Sequence, residues 1–269
     1  MLDLCFNSMN RSAYILRDED PDLEGQIDAA GRAGFAAFGP DIYSIRHYRE
    51  EKGDLEGLAA RIEAAGLRTF ELPSLSVDEH VAQVRADVDE MAEVAQVLRP
   101  EFVQVNVTSE ISDGVVDELR RAADRVALYG AGLAVEYLPW LPGTRNLETT
   151  RELMHRAQIP GAGIIVDTWH FFFSDDTWQG LEALPLSEIS YIQFDDHPAL
   201  ESGDLVEETL DRRVMPGEGT FELGRFCDMI RSKGFDGVVS CEILSKDTRQ
   251  MARDEFAQRV YETSCKFWP

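Results

Sequence analysis

The sequence predicts an α/β fold, a parallel (β/α)8 barrel of the TIM type, in which residues 1–269 form a single domain. Eight short apolar runs alternate along the chain with longer amphipathic stretches, as expected for a repeated strand–helix unit. Several of these runs are apolar on both faces, which is typical of parallel strands covered by helices. The length of 269 residues also fits one barrel.

The predicted strands are rich in β-branched and aromatic residues. They are Leu2–Phe6, Phe35–Phe38, Leu67–Leu72, Phe102–Val107, Leu133–Tyr137, Gly163–Val166, Ile189–Phe194 and Val238–Ile243. Right-handed crossovers between eight such strands close a parallel barrel. A doubly wound open sheet is the main alternative. It would usually carry a glycine-rich loop after its first strand, and Cys5–Tyr14 contains no glycine.

The predicted helices follow the strands, and several end at a glycine such as Gly34, Gly66 or Gly130, a common helix stop. They are Asp22–Ala33, Asp54–Ala65, Asp78–Leu98, Asp113–Tyr129, Asn146–Gln158, Thr177–Leu184, Phe221–Lys233 and Thr248–Phe267. The longest stretch without predicted regular structure, Asp195–Gly219, follows the seventh strand. We therefore expect it on the face where barrel active sites lie.

The chain is strongly acidic, with 50 Asp and Glu against 26 Lys and Arg and a formal net charge of −24. Nucleic-acid binding relies on Lys and Arg that neutralise phosphates, so we expect no nucleic-acid partner, and anionic membranes are disfavoured for the same reason. The segment Met1–Arg11 does not have the features of a signal peptide, and no long apolar window is present to span a membrane. The cysteines lack metal-binding spacing and are typical of free thiols in a reducing compartment, so we expect a cytoplasmic protein.

Four polar side chains interrupt apolar runs at the carboxyl ends of the last four predicted strands: Glu136, Asp167, Gln193 and Glu242. A lone polar residue at a strand end is more often a cap or an ion-pair partner, because burying it alone is costly. Four of them in register indicate a shared cation. Two glutamates, one aspartate and one amide oxygen form an oxygen-rich shell, which fits Mg²⁺ or Mn²⁺ better than a structural zinc.

Further polar residues follow these strands and are candidates for acid–base catalysis or substrate binding. His170, three residues after Asp167, is the preferred acid–base group, and the alternative is a ring that only fills space among its aromatic neighbours. Asp196 and His197 belong either to the site or to the loop after strand seven. Asn106 on the fourth strand is a weaker candidate for a substrate contact.

These residue types favour enolisation of a ketone. A metal that binds the carbonyl and a neighbouring hydroxyl makes the α carbon more acidic, and a carboxylate or imidazole then removes the proton. Return of the proton to the neighbouring carbon or the opposite face gives an isomerase or epimerase. Departure of a β-hydroxyl group instead gives a dehydratase, and the metal shell alone leaves both reactions open.

Five segments of the C-terminal half together resemble the xylose-isomerase-like barrel family, also called sugar phosphate isomerases/epimerases. They are Val135–Tyr137, Val166–Phe171, Gln193–Asp196, Arg213–Gly219 and Ser240–Glu242. The N-terminal half is similar only in its alternating pattern. The segments Asp-x-x-His-Phe and Asp-Arg-x-x-x-Pro-Gly-x-Gly resemble the 2-keto-inositol isomerase branch in particular.

In that family a Glu, an Asp, a His and a Glu on strands five to eight hold the metal. The resemblance therefore implies Glu136, Asp167 and Glu242 as ligands, with Gln193 in place of the histidine. A glutamine at this position resembles the bacterial 3-dehydroshikimate dehydratase branch. The resemblance also implies that Glu136 and Glu242 double as base and acid. It makes Arg213 a substrate contact, with a surface-loop residue as the alternative.

We expect a divalent-metal-dependent isomerase or epimerase of a ketose or inosose, with a dehydratase of a cyclic β-hydroxy ketone as the alternative. No glycine-rich phosphate cradle follows strands seven and eight, so the expected substrate is unphosphorylated. An endonuclease on the same fold would need more than the five histidines present and a basic groove, and the intact site residues argue against a non-catalytic barrel. Phe267 and Trp268 are expected to be exposed and would suit a dimer contact, so a homo-oligomer is compatible with the sequence.

Overall fold

The fold is described from a computed structural model, which covers residues 2–17 and 19–269. Among these residues nine strands are formed. They are β1 (Leu4–Asn7), β2 (Ala37–Gly39), β3 (Arg68–Thr69), β4 (Glu71–Val77), β5 (Phe102–Val107), β6 (Gly132–Glu136), β7 (Gly163–Asp167), β8 (Ile189–Phe194) and β9 (Val239–Cys241).

Helices separate most of these strands. They are α1 (Ala13–Leu16), α2 (Leu23–Ala33), α3 (Ile42–Glu51), α4 (Leu55–Ala64), α5 (Val81–Leu98), α6 (Asp113–Ala127), α7 (Leu147–Ala157), α8 (Thr168–Phe173), α9 (Trp178–Ala183), α10 (Leu205–Asp211), α11 (Leu223–Ser232) and α12 (Arg253–Cys265). None of the described helices is long and apolar enough to cross a membrane.

The chain forms two compact units. The first contains the chain up to Phe70 and from Gln193 onward, and the second is Glu71–Ile192. In the first unit β1 pairs in parallel with β2 and β9, and β2 pairs in parallel with β3. The ring of Phe6 on β1 lies within 6 Å of three other rings, including Phe256 of α12 at 5.9 Å. α12 also packs on α2, so this unit has its own apolar core.

The indole of Trp268, near the C-terminus, belongs to this core, although the sequence predicted that it is exposed. Trp268 is fully buried, and its ring lies 5.5 Å from that of Phe194 on β8. Phe267 is half-buried against the same phenylalanine. The expectation that Trp268 is exposed is therefore wrong, because the chain after α12 turns back and buries this large apolar side chain within the unit.

In the second unit the strands β4, β5, β6 and β7 are hydrogen-bonded in parallel in that order. Most of their side chains are buried, and α6 packs on both α5 and α7. β6 and β7 end at Glu136 and Asp167. Because neighbouring parallel strands end at the same edge, the two carboxylates lie side by side.

Most predicted elements are found, and the differences have local causes. The predicted strand Leu67–Leu72 is two strands, of which β4 continues past Pro73 to Val77 with a register shift between Leu72 and Leu75. The predicted irregular stretch Asp195–Gly219 contains the short helix α10.

Candidate metal centre

The candidate centre is built where β7 runs directly into α8. Asp167 is the last residue of β7 and the N-cap of α8, and its Oδ1 accepts a hydrogen bond of 2.9 Å from the backbone N–H of His170. The spacing Asp-x-x-His thus places the imidazole in the first turn of a helix. The sequence predicted no helix between Val166 and Thr177, which is wrong at this point, because the aspartate caps a helix that begins at once.

Glu136, Asp167 and His170 each bring one possible ligand atom within 4.8 Å of the others. Their exposed fractions are 4%, 0% and 1%, and Nε2 of His170 lies 3.3 Å from Oε1 of Glu136. Two buried carboxylates need compensating positive charge. Within the described part of the chain, the buried Nδ1 of His170 has no hydrogen-bond partner. Two carboxylates and an imidazole are a donor set that fits a divalent cation.

Two side-chain amides of β5 hold the glutamate of this cluster. Gln104 Nε2 donates to Glu136 Oε2 at 2.6 Å, and Asn106 Nδ2 donates to the same oxygen at 2.8 Å. Asn106, predicted as a substrate contact, thus binds the carboxylate of Glu136. Gln104 was missed, although its position two residues before Asn106 in a strand puts both side chains on one face.

Aromatic rings surround the imidazole of His170. The rings of Trp169, Trp140 and Tyr137 lie 5.4, 5.6 and 6.2 Å from it. Trp140 is 36% exposed, whereas Tyr137 and Trp169 are buried. Burial raises the pKa of the Tyr137 hydroxyl well above its ordinary value, and the carboxylate of Asp176 raises it further. This apolar wall keeps water from one side of the cluster and so strengthens the electrostatic interactions inside it.

Glu242 lies in the first unit, directly after β9, and both of its carboxylate oxygens have partners. Asn7 Nδ2 donates to Oε1 at 3.2 Å, and Arg213 Nη1 lies 3.3 Å from Oε2. Gln193 is fully buried in β8 of the same unit. The prediction that Gln193 and Glu242 share a metal with Glu136 and Asp167 stays a prediction.

Arg213 is 1% exposed, so the alternative of a surface-loop residue is wrong. Its guanidinium forms a short ion pair with the fully buried carboxylate of Asp195. It also donates to the backbone oxygen of Glu242 at 3.2 Å and to the hydroxyl of Thr209 at 2.9 Å. Its positive charge is therefore matched by protein carboxylates.

Asp196 holds the loop that follows β8. Its carboxylate accepts hydrogen bonds of 2.8 to 3.1 Å from four backbone N–H groups, those of His197, Gly217, Gly219 and Phe221. His197 is fully buried, with Nδ1 2.7 Å from the oxygen of Pro198 and Nε2 3.4 Å from a carboxylate oxygen of Glu208. These contacts order the loop, and the predicted substrate contacts of Asp196 and His197 stay predictions.

Two asparagines near the first strand were also missed. Asn7 ends β1, donates to Glu242 and accepts a hydrogen bond from Met9 N at 2.9 Å. Asn10 donates to Cys241 O at 3.1 Å and accepts from Ile243 N, so it fixes the backbone on both sides of Glu242. The available signal was a pair of asparagines within four residues of the end of the first apolar run.

His197 predicts how stability depends on pH. Burial lowers the pKa of its imidazole, against the opposing effects of its backbone acceptors. The unfolded chain, with an ordinary histidine pKa of about 6.5, therefore takes up the proton more readily than the folded chain, and the free energy of unfolding falls as pH falls below about 6.5. We expect urea unfolding between pH 7.5 and 5.5 to show this fall, and His197→Gln to make it shallower. His80→Gln, which removes an exposed imidazole, is the control. Equal slopes for wild type and His197→Gln would contradict the assignment.

A family model described as xylose isomerase-like TIM barrel matches residues 27–266. The chain therefore belongs to the xylose isomerase-like TIM barrel family, and the predicted fold class and resemblance are confirmed.

The curated relatives are named for two different reactions, a dehydration and an isomerisation. A 3-dehydroshikimate dehydratase of Pseudomonas aeruginosa is 30% identical over 135 residues, which are 50% of this chain and 21% of that protein. An inosose isomerase of Halalkalibacterium halodurans is 26% identical over 157 residues, which are 58% of this chain and 55% of that protein. The matches thus span about a fifth and about half of these relatives. Their names bear out the predicted class, an enzyme of the sugar isomerase/epimerase family.

Solved structures share the fold along the whole chain. The IOLI protein with a bound zinc atom matches with a TM-score of 0.86 at 20% identity, covering 99% of this chain and 98% of that one. An L-ribulose 3-epimerase matches with a TM-score of 0.75 at 13% identity, covering 99% and 94%. At these identities the likeness shows the fold alone.

Proposed function

We propose that this protein is a divalent-metal-dependent isomerase or epimerase that enolises a small, unphosphorylated polyhydroxy ketone. The observation that carries the proposal is the buried cluster of Glu136, Asp167 and His170. The zinc named for the IOLI protein, a neighbour of the same fold, supports a metal in this family. We propose Mn²⁺ or Mg²⁺ for this chain, with Gln193 and Glu242 as the further ligands predicted from the sequence.

A divalent cation held by the proposed carboxylate and amide ligands would polarise the ketone carbonyl and stabilise the negative charge that develops on its oxygen. The remaining chemistry belongs to the protein. Nε2 of His170 lies 3.3 Å from Oε1 of Glu136, so the imidazole stands directly beside this proposed metal ligand. The imidazole of His170 is the proposed group that accepts the α proton and returns it. Glu242, held by Asn7 and Arg213, is the proposed second acid–base group.

The ion pairs of Arg212 and Arg213 support a neutral substrate. A phosphate or carboxylate group on the substrate would need a cationic partner. Arg213 is matched by Asp195 and Glu242, and Arg212 pairs with Glu208 and with a further glutamate. A ketose or inosose carries no ionised group and needs no such partner.

A dehydratase is the second candidate, because one observation favours it. Gln193 stands at the strand-seven position where the family resemblance implies a histidine ligand. A 3-dehydroshikimate dehydratase of Pseudomonas aeruginosa, 30% identical over 135 residues, carries a name that fits the same reaction. The same cluster would remove the α proton, and the hydroxyl group on the β carbon would then leave. The reaction would give a conjugated enone.

We propose a single domain that acts in the cytoplasm on a small molecule without a nucleic-acid partner, as the charge of −24 favours. Analytical ultracentrifugation of the full chain tests whether it is a homo-oligomer.

Product analysis tests the proposed reaction. We expect the Mn²⁺-supplied protein to convert a 2-keto-inositol or a free ketose to an isomer, detected by proton NMR, without growth of ultraviolet absorbance. Glu242→Gln should lose this turnover. Absorbance that grows on 3-dehydroshikimate or a keto-inositol would replace the isomerase with the dehydratase. Turnover of a phosphorylated sugar at a comparable rate would contradict the neutral substrate.

A further inference from the structure

Two amides on β5 share one oxygen of Glu136. Gln104 and Asn106 lie two residues apart, and the parallel register sets Asn106 opposite Glu136 on β6. Their nitrogens lie 2.6 and 2.8 Å from Oε2 of Glu136, and their exposed fractions are 4% and 7%. Only the NH₂ end of an amide can donate to a carboxylate, so the contact fixes the orientation of both side chains.

The two hydrogen bonds make the oxygens of Glu136 unequal. A carboxylate oxygen has two lone pairs, and Oε2 already accepts from two N–H groups. Oε1 faces the imidazole of His170 at 3.3 Å instead. The carboxylate is therefore held in one rotation about its terminal bond, with Oε1 directed to the cluster.

We infer that Gln104 and Asn106 are positioning residues, which hold Glu136 as a one-oxygen ligand and keep Oε1 available for the metal ion. The inference rests on the proposed metal-dependent function. Partners that orient metal ligands typically contribute 10–100-fold to metal affinity, because a ligand that is already oriented loses less freedom on binding.

A purely structural role is the competing explanation, since removing a buried amide leaves its hydrogen-bond acceptor unsatisfied and destabilises the fold. Gln26 provides a matched control. It is 1% exposed, and its side chain donates to the backbone oxygen of Pro21 at 2.9 Å, with no metal-binding carboxylate involved. Gln26→Met therefore reports what the loss of a buried glutamine amide does to folding alone.

The test is calorimetric titration of Mn²⁺ into the metal-free full chain, combined with thermal unfolding of the same metal-free samples. We expect Gln104→Met and Asn106→Leu each to weaken Mn²⁺ binding by about 10–100-fold. Gln26→Met should bind Mn²⁺ like wild type. Gln104→Leu, which likewise offers no N–H to Glu136 and adds no charge, should also bind more weakly and serves where Gln104→Met does not fold.

The outcomes separate this inference from the proposed function. If wild type binds Mn²⁺ and the Gln104 and Asn106 variants bind equally well, the positioning role is wrong while the metal site stands. If their Mn²⁺ affinity falls only as far as that of a Gln26→Met protein of equal thermal stability, the role is structural and the inference is also wrong. If wild type binds no divalent metal, the proposed function itself fails.

Discussion

Asp167→Asn is expected to weaken divalent-metal binding by at least about 100-fold. This exceeds the effect of losing a residue that only orients a metal ligand. Turnover should fall by about 100–1,000-fold, the range seen when a group that stabilises developing charge is removed. Asparagine is as good an N-cap as aspartate, so the backbone N–H of His170 keeps its acceptor and α8 keeps its start. The substitution therefore removes the charge with little change in the local fold. Metal titration and a turnover assay measure the two losses.

Asp41→Asn is the control for this variant. Asp41 is also a fully buried N-cap, at the start of α3, where it accepts hydrogen bonds from Ser8, Ser12 and Ser44. It reports the general effect of converting a buried capping aspartate to asparagine. Wild-type metal affinity in Asp167→Asn, or an equal loss in Asp41→Asn, would contradict the metal centre.

Arg213→Met is expected to lower the free energy of unfolding by about 3–5 kcal/mol, because it leaves the fully buried Asp195 carboxylate without its cation. Arg213→Met combined with Asp195→Asn removes the closer pair of charges and should recover part of that loss, while Glu242 still lacks its cation. Urea denaturation of the single and double variants measures the difference.

Arg32→Met is the matched control on the surface. Its ion pair with Asp254 is exposed, with side-chain exposures of 60% and 65%, so a change within about 1 kcal/mol is expected. A single Arg213→Met variant that is as stable as Arg32→Met would show that the buried pair does not carry the assigned energy. A double variant no more stable than the single one would do the same.

The strands were predictable because parallel strands need apolar residues on both faces, and this pattern is local. The predicted bounds of Phe102–Val107 and Ile189–Phe194 agree with β5 and β8 at both ends. α3 was missed because its start depends on one capping residue, Asp41, next to a short strand. A repeating sequence pattern predicts long periodic elements well, but it does not predict a helix whose start depends on a single capping residue.

The carboxylates of the candidate centre were predictable for the same reason, because Glu136 and Asp167 interrupt apolar runs. Their partners were not. Gln104 is 32 positions from Glu136, and its role follows only from the register of β5 with β6. Arg213 pairs with Asp195 across 18 positions, and the sequence between them has no repeating pattern that predicts this contact. Such contacts depend on the fold, so they become visible only in the structure.

Exchange of the α hydrogen in D₂O tests the central claim most directly, because it reports proton removal before the reaction divides between isomerisation and dehydration. The measurement is proton NMR of a 2-keto-inositol with the wild-type protein as purified, after removal of metal with a chelator, and after addition of Mn²⁺. We predict loss of the α-hydrogen signal with metal present, no exchange after chelation, and recovery with Mn²⁺. Exchange that continues at the same rate after chelation, or no exchange with Mn²⁺ on any keto-inositol or ketose, would contradict a metal-dependent enolising enzyme.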